Sequence, residues 1–123
     1  MKPVFQTKAH EGDVRGNCLR ASLASILEIE IEDMPAFEDM PASSWRSELE
    51  RWLARQGYRL DESREKAPSG CHFIAVGKDR QGRTHAVVAL EGKMVHDPYP
   101  GGAGIVTFER AWQLIEIERA QIG

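Results

Sequence analysis

The sequence predicts an α+β fold in which two helices come first and a small antiparallel sheet follows. Three observations carry this. Apolar residues recur with helical spacing in two early segments, at Leu19, Leu23, Ile26 and Leu27 and again at Trp45, Leu49, Trp52 and Leu53. The second half instead holds short runs rich in β-favouring residues. Those runs are separated by glycine-rich turn material rather than by helical crossovers, so neighbouring strands pair antiparallel.

In chain order, residues 8–17 are charged and contain Gly12 and Gly16, which reads as a loop. A helix should start at Cys18, with Asn17 as its cap, and end near Glu28. Residues 30–35 read as an irregular connection, with Pro35 suited to open a short helical turn. A second helix is expected over residues 44–56, followed by Gly57 just past its end. The polar stretch 61–70 reads as a loop between the helical half and the strand-rich half. Strands are expected at 71–76, 84–90 and 93–96, and the segment 112–117 as a last strand. Pro98, Pro100, Gly101, Gly102 and Gly104 break regular structure and suggest a mobile flap.

At 123 residues the chain suits one domain spanning 1–123 with a core of its own. Its 41% hydrophobic and 28% charged content is that of a soluble globular protein. The formal net charge of -3 gives no general attraction to nucleic acid or to anionic membranes. No apolar run approaches the ~20 residues of a membrane span, and residues 1–10 lack the apolar core of a signal peptide. The expected location is the cytoplasm, where Cys18 and Cys71 stay reduced.

Cys18 is the candidate nucleophile. It sits where a loop enters an apolar helix, and the unpaired N–H groups and positive dipole end of a first turn favour an ionised thiol. Its own N–H is one candidate oxyanion donor, and Gly16 leaves room for a substrate to approach. Cys71, in the run Cys71-His72-Phe73-Ile74, reads as a core residue. Of His10, His72, His85 and His96, His85 is the candidate base, because it heads the apolar strand 85–90. Asp97 ends the next strand.

The hairpin register makes that pairing testable. A three-residue loop Leu90-Glu91-Gly92 sets Ala89 opposite Lys93 and His85 opposite Asp97, on one face. A two-residue loop sets Asp97 opposite Ala86, on the wrong face. A Cys-His-Asp group therefore requires the longer loop or a bulge. Tyr99, beyond Asp97, is a candidate groove wall, whereas Trp45 and Trp52 belong to the apolar face of the second helix. The histidines and cysteines lack the paired short spacings of a structural zinc site, so no metal and no cofactor is expected.

The segment Gly16-Asn17-Cys18-Leu19-Arg20-Ala21-Ser22-Leu23-Ala24-Ser25-Ile26-Leu27 resembles the nucleophile helix of papain-like cysteine peptidases. The likeness is closest to the bacteriocin-leader-processing branch. His85-Ala86-Val87-Val88 and Val95-His96-Asp97-Pro98 are similar to that branch's base strand and Asp-Pro strand. The chain also resembles small phage and bacterial proteins of this type, with Gln6-Thr7 near the start and the ending His96-Asp97-Pro98-Tyr99-Pro100.

The resemblance implies a papain-like fold and cleavage of an amide bond in a peptide or protein substrate through an acyl-enzyme. Gln6 would help to hold the oxyanion, with Asn17 as its substitute. Acyl transfer of the transglutaminase or arylamine acetyltransferase type uses the same residues, and a non-catalytic accessory protein could keep the same fold.

Overall fold

The computed structural model describes residues 1–9, 16–64 and 69–117. The expected loop at 8–17 lies partly outside them, as do His10 and part of 61–70. Two helices, α1 (Cys18–Leu27) and α2 (Trp45–Arg55), precede a five-stranded sheet. Single 3-10 turns at Ile31–Asp33 and Phe37–Asp39 fill the connection between the helices, the second just after Pro35. The strands are β1 (Tyr58–Ser63), β2 (Phe73–Lys78), β3 (Thr84–Leu90), β4 (Lys93–His96) and β5 (Thr107–Glu116). Their order across the sheet is β1-β5-β2-β3-β4, and every pairing is antiparallel. The fold class is α+β, as expected.

β1 corrects the reading of residues 61–70 as loop from their first residue. Its polar composition hid an alternation in which Tyr58, Leu60 and Glu62 are sheltered while Arg59 and Asp61 face solvent. The strand exists because β5 offers it a full ladder, from Tyr58 opposite Glu116 to Ser63 opposite Ala111. β5 itself begins five residues before the expected position, at Thr107. β2 begins at Phe73, so Cys71 stands before the strand and is half-buried rather than core, accepting a hydrogen bond from Gln113 Nε2 at 3.1 Å. Both cysteines are free thiols.

β2 and β3 read as continuous apolar runs because both of their faces are covered. Ile74, Val76 and Ala86 join Leu23, Leu49, Leu53, Trp52 and Trp112 in the larger core, on the side of the helices. Phe73, Ala75, Val87, Ala89 and Ala111 form a second cluster with Ile105. Trp45 is only half-buried and stacks on Trp112, with ring centroids 6.1 Å apart.

α1 is covered on more sides than its apolar stripe suggested. Its fully buried residues are Ala21, Ser22, Leu23, Ala24 and Ser25, while Leu19, Ile26 and Leu27 are half-buried. Small side chains let neighbouring backbone come close. Ser22 lies against the Ala86 carbonyl of β3. On another side an extended N-terminal strap crosses the helix: Lys2 N–H donates to the Ser25 carbonyl at 3.0 Å, and Val4 N–H to Ser25 Oγ at 2.9 Å. The far side of the strap is tied near the β4 edge, where His96 Nε2 donates to the Val4 carbonyl at 2.7 Å and Gln6 N–H donates to the Pro98 carbonyl at 2.9 Å. The strap thus spans from α1 to the segment that carries Asp97.

Candidate active site

Cys18 is the first residue of α1 and is half-exposed. Its N–H lies in the first turn, where no intrahelical acceptor is available. Asn17 holds the cap position, but its side chain makes no capping bond to the helix. It is instead buried and clamps the strap: Oδ1 accepts from Thr7 N–H and Lys8 N–H, both at 3.0 Å, and Nδ2 donates to Thr7 Oγ1 at 2.8 Å. Those contacts correct the expectation of a side-chain helix cap at Asn17, and its side chain, buried against the strap, does not line the cleft that holds Cys18, so it does not serve there as an oxyanion donor. Asn17→Ala is expected to cost about 2 kcal/mol, since it strands two backbone donors. The checks are the urea midpoint and faster hydrogen exchange at the Thr7 and Lys8 amides.

The β3–β4 hairpin differs in detail from the expected three-residue loop. Glu91 and Gly92 both take positive φ, 52° and 76°, forming a two-residue turn with Leu90 opposite Lys93. Ala89 faces Met94, but Val88 faces His96, so the ladder slips by one residue at a β-bulge. Continued one step, that register sets Asp97 beside Val87, on the same face as His85. The bulge thus supplies the parity change that a two-residue turn alone would deny.

His85 Nε2 donates to Asp97 Oδ1 at 2.7 Å, with both side chains largely buried. Cys18 lines the same cleft, and its side chain is among the groups that act on the protonation of the ring. Burial of the ring works against its charged form. The hydrogen bond to Cys18, the one to Asp97 and the negative charge of both outweigh it, and the His85 pKa is raised from 6.5 to about 9. The Asp97 carboxylate has two further partners: Tyr99 N–H donates to Oδ1 at 2.9 Å and Gly104 N–H to Oδ2 at 2.8 Å. A β-carbon at Gly102 would collide with the same carboxylate, so glycine there lets the loop close over Asp97. The segment expected as a mobile flap is therefore tied to Asp97 at both ends, and Gly102 N–H donates to the Tyr99 carbonyl between them.

These residues share a cleft of about 790 Å³. Cys18, His85 and Asp97 line it, with Gln6, Gly16 and Tyr99. Its rim is formed by the glycine-rich loop and by the β2–β3 turn, in which Asp79 Oδ1 accepts from Gln81 and Arg83 N–H groups. Gln6 Nε2 donates to the Lys8 carbonyl at 2.9 Å, which leaves one amide hydrogen for a ligand, and its Oε1 is buried without a partner among the described residues.

Of the candidates read from the sequence, the fold brings together Cys18, His85, Asp97, Gln6, Gly16 and Tyr99, and turns Asn17 away. The supporting parts were not foreseen: Ser25 and His96 as strap anchors, and Arg83 with its turn as a rim. His96 is buried just after exposed Met94 and Val95, so its ring needs an internal acceptor, a requirement that only the structure reveals. Among the described residues, no three His, Cys, Asp or Glu side chains group as a metal site would, and no helix is long and apolar enough to cross a membrane. No family model, curated protein or solved structure matches the chain.

Proposed function

We propose that the protein is a cysteine hydrolase that cleaves an amide bond through a Cys18-His85-Asp97 triad on a papain-like fold. The observation that carries the reading is the imidazole of His85, held between the Asp97 carboxylate at 2.7 Å and the thiol at the start of α1. A nucleophile on the first helix, with its base on a later strand and its orienter just past the end of the next, follows the papain-like order.

In this reading Cys18 Sγ attacks the carbonyl carbon as His85 Nδ1 holds the thiol proton. Cys18 N–H and the spare amide hydrogen of Gln6 donate to the oxyanion. Collapse of the tetrahedral intermediate breaks the C–N bond, and His85 gives its proton to the leaving amine. Water then loses a proton to His85 while attacking the thioester, which releases the acid and restores the thiol. Asp97 fixes the ring so that Nδ1 meets sulfur.

The test is iodoacetamide labelling at pH 6 with site identification by mass spectrometry. Cys18 is expected to react at least about tenfold faster than Cys71, as a stabilised thiolate does. Equal slow labelling of both thiols would sink the reading. Activity-probe turnover with and without amine acceptors then separates hydrolysis from acyl transfer.

A further inference from the structure

We infer that the cleft beside Cys18 takes its substrate by a carboxylate, held by the cationic turn between β2 and β3. The carboxylate is an acidic side chain or the chain terminus of a peptide. The inference rests on the cysteine-hydrolase reading for its link to catalysis.

The charge of the cleft is one-sided. Outside the triad, the charged side chains that line it, among the described residues, are Lys78, Asp79, Arg80 and Arg83, all on this one turn. The rest of the wall, with Gln6, Tyr99 and the loop 101–104, carries no charge.

Asp79 does not cancel the charge of the turn. Its Oδ2 accepts from Arg83 Nε at 3.1 Å, and its Oδ1 accepts from the Gln81 and Arg83 N–H groups. One carboxylate thus offsets one guanidinium and leaves Lys78 and Arg80 in excess. Lys78 Nζ donates to Thr84 Oγ1 at 2.7 Å and keeps its other N–H donors. Arg80 is exposed and has no hydrogen bond or ion pair to a described residue, so its planar fork is open to a carboxylate.

The turn holds these cations near the chemistry. Asp79 N–H donates to the Arg83 carbonyl at 2.9 Å, and Gly82 N–H to the Asp79 carbonyl at 3.0 Å. Thr84, the partner of Lys78, directly precedes His85 on β3. A carboxylate seated on the turn therefore shares the cleft with the base. The patch is confined to one turn of a chain whose formal net charge is -3, which suits a single carboxylate better than a polyanion.

Three peptides of one length test this. One carries glutamate at alternate positions with both ends capped, one is its glutamine counterpart, and one is an alanine peptide with a free C-terminal carboxylate. Each is titrated into the ¹⁵N-labelled Cys18→Ser protein and followed by amide NMR signals. The glutamate or the free-acid peptide is expected to shift the Arg80 and Arg83 signals and to bind about tenfold more tightly than the glutamine peptide. The tighter of the two identifies the source of the carboxylate. Equal affinities of all three, or shifts only elsewhere, overturn the inference. Tighter binding of a short oligothymidylate at this turn also overturns it, because the patch is then a phosphate site. Arg80→Gln should cut the preference to about threefold. A preference that survives intact in the double variant Lys78→Gln, Arg80→Gln overturns the turn as its source.

On the wild-type protein, the preferred peptide at saturation should slow iodoacetamide labelling of Cys18 severalfold and leave that of Cys71 unchanged. Binding at the turn without protection overturns the carboxylate as a substrate handle and leaves the triad reading standing. Slow labelling of Cys18 with no peptide present overturns the triad reading itself, even where the turn binds.

Discussion

His85→Ala is expected to slow alkylation of Cys18 at pH 6 roughly tenfold and to lower turnover of an amide substrate by about 10²–10⁴-fold. An ordinary thiol of pKa ~8.5 is only about 0.3% ionised at pH 6. A neighbouring imidazole that takes the thiol proton speeds alkylation, and without it the thiol reacts only through that small fraction. Turnover suffers more because the leaving amine also loses its proton donor. The pH dependence follows from the raised value. His85 should hold its proton to about pH 9, read from its ring-proton NMR shifts. Cys18→Ser removes the foremost of the interactions that raise it, so the midpoint should move back toward 6.5. Because the folded value lies above 6.5, the stabilisation from His85 is fully present below pH 6.5 and is lost as pH rises through about 9. A midpoint that stays put in Cys18→Ser would break the claimed pair.

Asp97→Ala should be the most destabilising single change at the site, by about 3–5 kcal/mol. It removes the acceptor of His85 and strands the Tyr99 and Gly104 N–H groups together. Against a typical total of about 5–15 kcal/mol this is a large loss, visible as a lower urea midpoint. Asp97→Asn separates two roles. Its single carbonyl oxygen can serve some of the loop donors, so stability should fall less. Its lack of charge removes the support for the His85 imidazolium, so turnover should still fall by roughly 10²–10⁴-fold and the His85 midpoint should drop. If Asp97→Asn keeps full turnover while losing stability, Asp97 is a loop anchor and does not orient the base.

Much of the local structure was legible in the sequence, for reasons specific to each element. The helices announced themselves because Leu19 to Leu27 and Trp45 to Leu53 repeat at the helical period. β3 and β4 match their expected bounds because Thr84–Leu90 is a dense apolar run and Glu91-Gly92 is a strong turn signal. β1 was missed because half its residues are charged, and only pairing with a strand some fifty residues later gives its backbone groups partners. The same holds for Asn17. Its residue type suits a helix cap, but the strap arriving from residues 1–8 offers it better-placed donors in the interior.

Taken alone, the sequence singled out the candidate residues. A thiol at a helix start, a histidine at the head of a strand and an aspartate before Pro98 are local patterns, set by periodicity and turn preference. The tertiary structure decided whether they meet. A two-residue turn would have put Asp97 on the wrong face, and the bulge opposite Val88 and Ala89 reverses that parity. No local rule places such a bulge, because it depends on long-range contacts: His96 turning in to the Val4 carbonyl and Gly104 closing on Asp97. Gln6 likewise reaches the cleft only because Asn17, Ser25 and His96, far apart in the chain, hold one strap in place.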